Sequence, residues 1–367
     1  MKRRQVVKAL GVGALAAGSL AGCGDRKLDP GTGSAKGAVI EWQMVTTWPK
    51  NFPGLGSGAN FLAQLIGEMS GGRMRVKVHG ANELVGALEV FDTVAAGTAQ
   101  MGHGAAYYWK DKCRAAQFFA AVPFGLTAQE MNAWLYHGGG MTLWQEVYAP
   151  FGLLPAAIGN TGVQMGGWFN REINTVADLK GLKMRIPGLG GEVLKRAGGT
   201  PVLLPGGEIF PALQSGAIDA SEWVGPYNDF AFGLHKAARY YYYPGWHEPG
   251  TTLECLLNKA AFEALPADLQ SVVRNACRVA NQDMLADFTA KNNAALKQLM
   301  DEQGTELRRF PDEVLRTLKT LSAEVLAEEA AADPQTAKVY QSFMRFREQA
   351  IAWHTLSEQA YLDARLL

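Results

Sequence analysis

Residues 208–224, EIFPALQSGAIDASEWV, carry a pattern that occurs twice in this chain. In this copy Phe210 stands six residues before Gly216, and a short run of mainly apolar residues follows. In residues 84–104, LVGALEVFDTVAAGTAQMGHG, Phe91 stands six residues before Gly97, and a second short run follows. Glycine is favoured just past the end of a helix, so both copies predict a helix, a glycine stop and a short buried strand.

Strand and helix patterns alternate around both copies. Residues 39–48 and 73–80 read as strands, residues 60–72 between them read as a helix, and a second such series begins at residue 161. In the first copy Leu84, Leu88, Phe91 and Ala95 share one helical face. Alternating strands and helices predict α/β layered domains with largely parallel sheets.

Two α/β lobes facing each other predict a clamshell of the type II periplasmic binding-protein kind. Open α/β sheets bind ligands at the carboxyl ends of their strands. Tyr107 and Tyr108 in the first lobe, and Glu222 and Trp223 in the second, directly follow the two short strands. We therefore expect these four residues to line the crevice.

The domain organisation predicted from the sequence has five parts. They are a lipoprotein signal peptide at 1–23, a flexible tether at 24–37, lobe I at 38–160 with a returning segment at about 249–300, lobe II at 161–248 with part of 301–333, and a C-terminal helix at 334–367.

The last hundred residues predict long helices and no further strands, divided by Pro311 and Pro334. The final stretch carries apolar residues at roughly helical spacing: Val339, Phe343, Phe346, Trp353 and Leu356. Packing in the protein's own core explains such a stripe, and packing on a second subunit in a homodimer is the alternative.

The first residues predict export. A basic start, MKRR, precedes an apolar run that ends in small residues, and Leu20-Ala21-Gly22-Cys23 resembles a lipobox whose cysteine is lipidated. Residues 3–8, RRQVVK, also resemble a twin-arginine signal. The apolar run is shorter than the roughly 20 residues that span a bilayer comfortably. We favour a periplasmic protein that is lipid-anchored to a membrane through Cys23 over a spanning helix or a soluble secreted protein.

Composition and motifs argue against several classes of protein. With 35 basic and 35 acidic residues the net charge is zero, and no basic cluster predicts nucleic-acid binding. Residues 137–140, HGGG, imitate an oxyanion motif, but no GxSxG nucleophile accompanies them. The histidines show no zinc-ligand spacing and are interpreted mainly as structural residues. Cys113, Cys255 and Cys277 allow either one disulfide or three buried free thiols.

Four polar residues stand in apolar or glycine-rich contexts near the ends of predicted strands: Gln164, Arg185, Glu222 and Glu248. An arginine grips a carboxylate with two parallel hydrogen bonds, whereas amide, carboxylate and carbonyl oxygens suit a hard cation. The set predicts a site for a small acid together with a metal ion.

Several long motifs occur in the order found in one family. They are HGGG (137–140), NTGVQMGGWF (160–169), REINTVADLKGLKMR (171–185), IFPALQSGAIDASEWVGPY (209–227) and YYYYPGWHEPG (240–250). Together they resemble the solute-binding subunit of tripartite ATP-independent periplasmic (TRAP) transporters, DctP-type, and its 2-oxoacid-binding branch in particular. The resemblance runs from about Val39 to the C-terminus.

This resemblance implies two lobes that close on a carboxylate and deliver it to a TRAP membrane permease. It places Arg185 on the substrate carboxylate, with Gln164, Trp223 and either Tyr107 or Tyr108 also at the substrate. It implies one bound cation, sodium or calcium, held by Gln164, Glu222, the backbone carbonyl of Trp223, and Glu248. His247 stands where relatives commonly carry another tryptophan, which implies a changed pocket polarity.

Charge counting supports a bound cation. Glu222, Glu248 and a substrate carboxylate bring three negative charges against the one positive charge of Arg185. A 2-oxo acid can chelate a cation through its carboxylate and keto oxygens. Sodium leaves the site net negative and calcium leaves it neutral, so electrostatics mildly favours calcium.

We therefore expect a receptor and no catalytic residues. Two alternatives stay open at this point, namely an exported metal-dependent enzyme with Glu222 as general base, and a sensory receptor that does not take part in transport.

Overall fold

A computed structural model describes residues 38–367; the predicted signal, Cys23 and the tether lie outside the described residues. The strands are β1 (Ile40–Thr46), β2 (Met74–His79), β3 (Met101–Gly104), β4 (Leu153–Asn160), β5 (Gly167–Phe169), β6 (Lys183–Arg185), β7 (Thr200–Val202), β8 (Ala220–Ser221), β9 (Tyr240–Tyr243), β10 (Thr252–Asn258) and β11 (Glu306–Arg309).

The helices lie on and between the sheets. They are α1 (Leu55–Met69), α2 (Val90–Ala95), α3 (Gln117–Ala120), α4 (Ala128–His137), α5 (Gly140–Tyr148), α6 (Gly188–Arg196), α7 (Gly206–Ser215), α8 (Pro226–Phe232), α9 (Lys259–Glu263), α10 (Ala267–Asp301), α11 (Asp312–Ala331), α12 (Pro334–His354) and α13 (Ala360–Ala364). None of the helices within residues 38–367 combines the length and the apolar character needed to cross a bilayer.

Two mixed sheets confirm the predicted two-lobed α/β fold. The first lobe has the order β2-β1-β3-β10-β4 and the second has β11-β9-β5-β8-β6-β7. Both sheets are largely parallel, and in the described chain β10 runs against its neighbours in the first and β5 against its neighbours in the second. The chain passes between the sheets through residues 161–166 and 244–251, which we call the connecting segments.

The repeated pattern of the sequence is a repeated structure. Helices α2 and α7 are followed by Gly97 and Gly216, whose φ angles of 76° and 72° are the left-handed values that glycine accepts readily. Strands β3 and β8 begin four residues after these glycines. Residues just past both strands, namely Tyr107 and Tyr108 after β3 and Trp223 after β8, line one cavity between the lobes.

Two predictions about secondary structure are wrong. The first helix of the repeat begins only at Val90, and Leu84 is exposed. Residues 80–89 form turns instead, with Asn82 at positive φ and the Glu89 carboxylate accepting from the Gly86 N–H at 2.9 Å. The C-terminal region also contains a strand, β11, which pairs in parallel with β9.

The three long C-terminal helices tie the lobes together. Helix α10 packs on β4 and α1 of the first lobe and on α8 of the second. Its Asn292 side chain accepts from the Tyr227 N–H at 3.1 Å, and its Phe288 ring covers Gly54. In α12, Val339 and Phe343 are buried in the core, whereas Trp353 and the following Leu356 are exposed.

The lobe boundaries at residues 160 and 248 stay a prediction, although β4 ends at Asn160 and β10 begins at Thr252. Of the two cysteine alternatives, the described structure has three buried, unpaired thiols at Cys113, Cys255 and Cys277.

Candidate functional site

The two connecting segments are joined to each other by backbone hydrogen bonds. The Gln164 N–H donates to the Glu248 carbonyl at 3.1 Å, and the Gly245 N–H donates to the Gln164 carbonyl at 2.9 Å. A Cβ on Gly245 would lie 2.2 Å from that carbonyl oxygen, so this approach requires glycine. The backbone thus brings Gln164 and Glu248 together between the lobes.

Their side chains form one buried network. The Gln164 Nε2 donates to Glu248 Oε2 at 2.9 Å and to the hydroxyls of Thr161 and Thr251 at 3.2 Å each. The Thr251 hydroxyl also donates to Glu248 Oε2 at 2.5 Å. This arrangement fixes the amide nitrogen of Gln164 toward Glu248 and leaves its oxygen, Oε1, without a hydrogen-bond partner among residues 38–367.

Strand register places Arg185 beside Glu222. Strands β6 and β8 are parallel and pair Arg185 with Ser221, and the Glu222 N–H donates to the Arg185 carbonyl at 3.2 Å. The Arg185 guanidinium contacts the Glu222 carboxylate directly, and both side chains are buried. The same guanidinium lies 5.2 Å from the centre of the Trp223 ring, a cation–π distance.

The first lobe contributes Tyr107 and Tyr108 to the site. They lie in a short 3-10 turn, Ala106–Trp109, directly after β3. The Tyr107 hydroxyl is 3.5 Å from Glu248 Oε2, and the Tyr108 hydroxyl accepts from Arg185 Nη2 at 3.2 Å. The sequence left open which tyrosine belongs to the site, and the structure brings both to it.

Aromatic rings close the cleft, and the lobes touch across it. The Trp48 ring meets the Trp223 ring edge to face at 5.9 Å, and Phe52 stacks on Phe232 at 4.1 Å. A cavity of about 10 Å³, close to the space of one water molecule, remains between Trp48, Leu55, Tyr107, Tyr108, Thr161, Gln164, Trp223, Val224, Thr251 and Leu253. The structure is a closed form.

Burial sets the electrostatics of the site. It raises the pKa of Glu222 to about 7, against the opposing effect of Arg185. Burial also raises the pKa of Glu248 to about 7, and the nearby Glu222 carboxylate adds to the rise. The pKa of His247 is lowered to about 4, again by burial. Two buried carboxylates share one arginine, so an added positive charge would stabilise their ionised forms.

Buried polar atoms without hydrogen-bond partners indicate whether a cation would fit the site. Within the described chain, Gln164 Oε1, Glu222 Oε2 and both ring nitrogens of His247 are buried without hydrogen-bond partners. Ligand atoms of Glu222, His247 and Glu248 all lie within 4.8 Å of one another. Buried polar atoms normally find a partner, so this set fits a metal ion.

Asp229 supports the loop that carries Glu222 and Trp223. Its Oδ1 accepts from the Val224 and Gly225 N–H groups at 3.1 Å each. Its Oδ2 accepts from the Trp168 indole at 3.0 Å and from the Tyr241 hydroxyl at 2.7 Å. Its carboxylate therefore fixes the backbone just beyond the site.

The structure brings together all seven residues named from the sequence: Tyr107, Tyr108, Gln164, Arg185, Glu222, Trp223 and Glu248. Sequence reasoning missed Thr161, Thr251 and Asp229, and it interpreted the histidines mainly as satisfied structural residues. His247 is an exception to that interpretation, because neither of its ring nitrogens has a hydrogen-bond partner among residues 38–367. Its place beside Glu248, in the same glycine- and proline-bounded segment, was the available signal.

Comparisons with known proteins agree with this architecture. Residues 44–333 match the family described as bacterial extracellular solute-binding protein, family 7, or DctP. A monocarboxylate 2-oxoacid-binding periplasmic protein of Nostoc sp. is 44% identical over 363 residues, which cover 98% of both chains.

Two similar crystal structures are of TRAP periplasmic solute-binding proteins. One, from Pseudoalteromonas atlantica with bound sodium and pyruvate, is 47% identical with a TM-score of 0.86 and covers 89% of this chain and 99% of its own. The other, from Colwellia psychrerythraea with bound calcium and pyruvate, is 44% identical with a TM-score of 0.86 and the same coverage. With its family match and its two-lobed fold, this chain belongs to family 7 of the bacterial extracellular solute-binding proteins, the DctP family.

Proposed function

We propose that this protein is a periplasmic receptor that binds a small, pyruvate-like 2-oxo monocarboxylate together with one sodium or calcium ion. It delivers the acid to the membrane permease of a TRAP transporter. The observation that carries this proposal is a buried arginine beside two buried carboxylates whose surroundings include unpartnered ligand atoms.

Arg185 is assigned to the substrate carboxylate. A guanidinium has five N–H donors. Three of its nitrogens already donate, to the Leu204 carbonyl, to Glu222 and to the Tyr108 hydroxyl. One bond from each nitrogen leaves two N–H groups for an incoming carboxylate, which is the number a bidentate pair uses.

Gln164, Glu222, the Trp223 carbonyl and Glu248 are assigned to the cation. When bound, the ion supplies positive charge to the carboxylates of the site and of the substrate. The side chains of Glu222 and Glu248 are held in place before binding, by Arg185 and by the Gln164–Thr251 network respectively. The orientation of both ligands is therefore prepared by the fold.

The cavity is too small for the substrate, so the two lobes must move apart for it to enter. A space of about 10 Å³ is far below that of a 2-oxo acid. Substrate therefore enters an open form, and closure brings Tyr107 and Tyr108 of the first lobe onto Glu248 and Arg185. Closure also excludes water, which strengthens the charge-assisted contacts.

The fluorescence of the purified protein tests this assignment, because Trp48 and Trp223 line the cavity. Pyruvate and longer 2-oxo acids should change the emission at lower concentrations than lactate does. Arg185→Met should weaken pyruvate binding by about 100-fold, the loss of roughly 3 kcal/mol of charge-assisted hydrogen bonding. Arg274→Met is the matched control, since Arg274 stacks on Phe262 away from the site. Equal pyruvate binding by wild type and Arg185→Met would refute the assignment.

The same purified protein should not convert pyruvate. The site holds paired carboxylates and an arginine, and we assign it no nucleophile. Recovery of all the added pyruvate unchanged after prolonged incubation would support the receptor function. Formation of any product favours the enzyme alternative with Glu222 as general base.

We further propose that export ends in lipid anchoring through Cys23. The support is the lipobox-like sequence LAGC after an apolar run. Wild-type protein expressed in a bacterium should partition with membranes, and Cys23→Ser should not. A twin-arginine route would in addition require Arg3 and Arg4, and replacing both with lysine should then block export.

The C-terminal end is proposed as a homodimer contact. Four large apolar or aromatic side chains are exposed there, namely Trp353 (65%), Leu356 (78%), Tyr361 (66%) and Leu366 (84%). This is an unusually large exposed apolar surface for one end of the chain. Sedimentation of the protein should show a dimer, and serine at both Trp353 and Leu356 should convert it to a monomer. A monomeric wild type, or a dimer that survives both changes, would contradict the contact.

A further inference from the structure

His247 belongs to the set of buried atoms that fits a metal ion, but the proposed function assigns it no role. It lies in the second connecting segment between Trp246 and Glu248, is 1% exposed, and packs against the first turn of α6 at Gly190. Neither ring nitrogen has a hydrogen-bond partner among residues 38–367. Leaving a buried polar group unpaired destabilises a protein, because the group loses its hydrogen bonds to water without replacement. This histidine therefore needs a partner that residues 38–367 do not provide.

The imidazole faces the proposed cation ligands. His247 Nε2 lies 3.6 Å from Glu222 Oε2, which also has no partner in the described chain. That distance is too long for a hydrogen bond. Two ligands on one ion with bonds of about 2.1 Å lie roughly 3.0–3.4 Å apart when adjacent and about 4.2 Å apart when opposite. The observed spacing, within 4.8 Å for all three residues, needs only a small adjustment to reach this range.

We propose that His247 is a nitrogen ligand of the cation site, so that the site also accepts divalent first-row transition ions such as Mn²⁺ and binds them more tightly, relative to Ca²⁺, than the same site without the imidazole. This inference rests on the cation site of the proposed function and adds a ligand and an ion class to it. Imidazole suits transition ions, whereas Ca²⁺ takes oxygen ligands. With Glu222 and Glu248, the histidine forms a two-carboxylate, one-imidazole set.

Pulsed electron paramagnetic resonance of Mn²⁺ tests the bond directly. The purified protein is stripped with a chelator and loaded with one equivalent of Mn²⁺, and displacement by excess Ca²⁺ identifies the site. Wild type should show the nitrogen coupling of a directly bonded imidazole. His247→Gln should bind Mn²⁺ without that coupling, and His235→Gln, which changes a histidine elsewhere in the second lobe, should keep it. Ca²⁺-displaceable Mn²⁺ without nitrogen coupling in wild type would overturn the proposal, whether or not the variants fold.

Selectivity provides a second readout. The ratio of the Ca²⁺ to the Mn²⁺ dissociation constant, measured by competition, should fall at least tenfold in His247→Gln and stay unchanged in His235→Gln. An unchanged ratio in His247→Gln would overturn the selectivity.

Failure of the inference and failure of the proposed function are distinguishable. Pyruvate binding in the presence of Ca²⁺ without nitrogen coupling to Mn²⁺ refutes the His247 ligand alone. Nitrogen coupling without pyruvate binding under any ion refutes the proposed substrate and leaves the ligand intact.

Discussion

Replacing Glu248 with glutamine is expected to shift the ion preference of the site from calcium toward sodium. Glu248 Oε2 accepts hydrogen bonds from Gln164 and Thr251. The glutamine oxygen can occupy the same position, so the network and the fold should persist. The substitution removes one negative charge. With substrate bound, a divalent ion then leaves the site with an excess positive charge, whereas a monovalent ion leaves it neutral.

The expected magnitude follows from Coulomb's law. At an effective dielectric constant of about 20, which suits buried as well as surface sites in proteins, a unit positive charge about 4 Å from a carboxylate is stabilised by roughly 4 kcal/mol, and a divalent ion by twice as much. The divalent ion therefore loses about 4 kcal/mol more than sodium when Glu248 becomes neutral. Because the glutamine also lowers the desolvation cost, we expect a change of about 2–4 kcal/mol, or about 30- to 1000-fold in the ratio of the two affinities.

Calorimetry with calcium and with sodium, both at saturating pyruvate, measures this ratio. Glu263→Gln is the control, because Glu263 is an exposed carboxylate on α9 that pairs with Lys259. The control should match wild type for both ions. A calcium-to-sodium ratio that changes by less than about threefold in Glu248→Gln would show that Glu248 does not face the ion.

Three further predictions concern stability and closure. Burial raises the pKa of Glu254 to about 7, so the folded state holds this proton more tightly than the unfolded chain, and the free energy of unfolding falls as the pH rises from about 4.5 to 7. In urea unfolding, the free energy of unfolding of Glu254→Gln should rise by about 3 kcal/mol relative to wild type over that pH interval. A difference between the two proteins that stays constant with pH would contradict the burial argument. Lys110 Nζ lies 2.7 Å from Glu192 Oε1 across the mouth of the cleft, and both side chains are about one-third exposed. Because partly exposed ion pairs contribute little, Lys110→Met should weaken pyruvate binding only about two- to fivefold. A larger loss of affinity would mean that Lys110 contacts the acid. In thermal unfolding, Gly245→Ala should lower the free energy of unfolding by more than about 2 kcal/mol, because the new methyl group meets the Gln164 carbonyl. Gly207→Ala is the control and should cause no such loss, because a methyl group there meets no other atom. Equal stability of the two variants would show that the connecting segments shift freely.

Local sequence patterns were sufficient to predict the layered fold. Gly97 and Gly216 each end a helix with positive φ, and this requirement belongs to a single residue and is therefore visible without tertiary structure. Pro311 and Pro334 likewise mark where α11 and α12 begin. Such signals survive because the chain geometry at these points admits few residue types.

Strand β11 was not predictable in the same way. Its sequence, ELRR, has no apolar alternation, and the strand forms because an edge position beside β9 is available. The Arg308 guanidinium lies 5.5 Å from the centre of the Tyr240 ring of that neighbour. Strand formation of this kind depends on the partner more than on the segment itself.

The residues of the candidate site were predictable as a set, but their contacts were not. Arg185 and Glu222 stand at strand ends, which the sequence indicated, yet their direct pairing depends on the register between β6 and β8. The place of His247 beside Glu248 indicated that it lies near the site, but its distinguishing property is that neither ring nitrogen has a hydrogen-bond partner among residues 38–367. Only the three-dimensional arrangement reveals that property.

The central claim is that acid and cation bind together at the buried arginine and carboxylates. Calorimetric titration of pyruvate into chelator-treated protein in sodium-free buffer tests it most directly, followed by the same titration after calcium or sodium is restored. Without a cation, three negative charges face Arg185 alone, so we predict no measurable binding heat; with either ion restored, we predict binding of one pyruvate per chain. Pyruvate binding of equal affinity with and without cations would contradict the account.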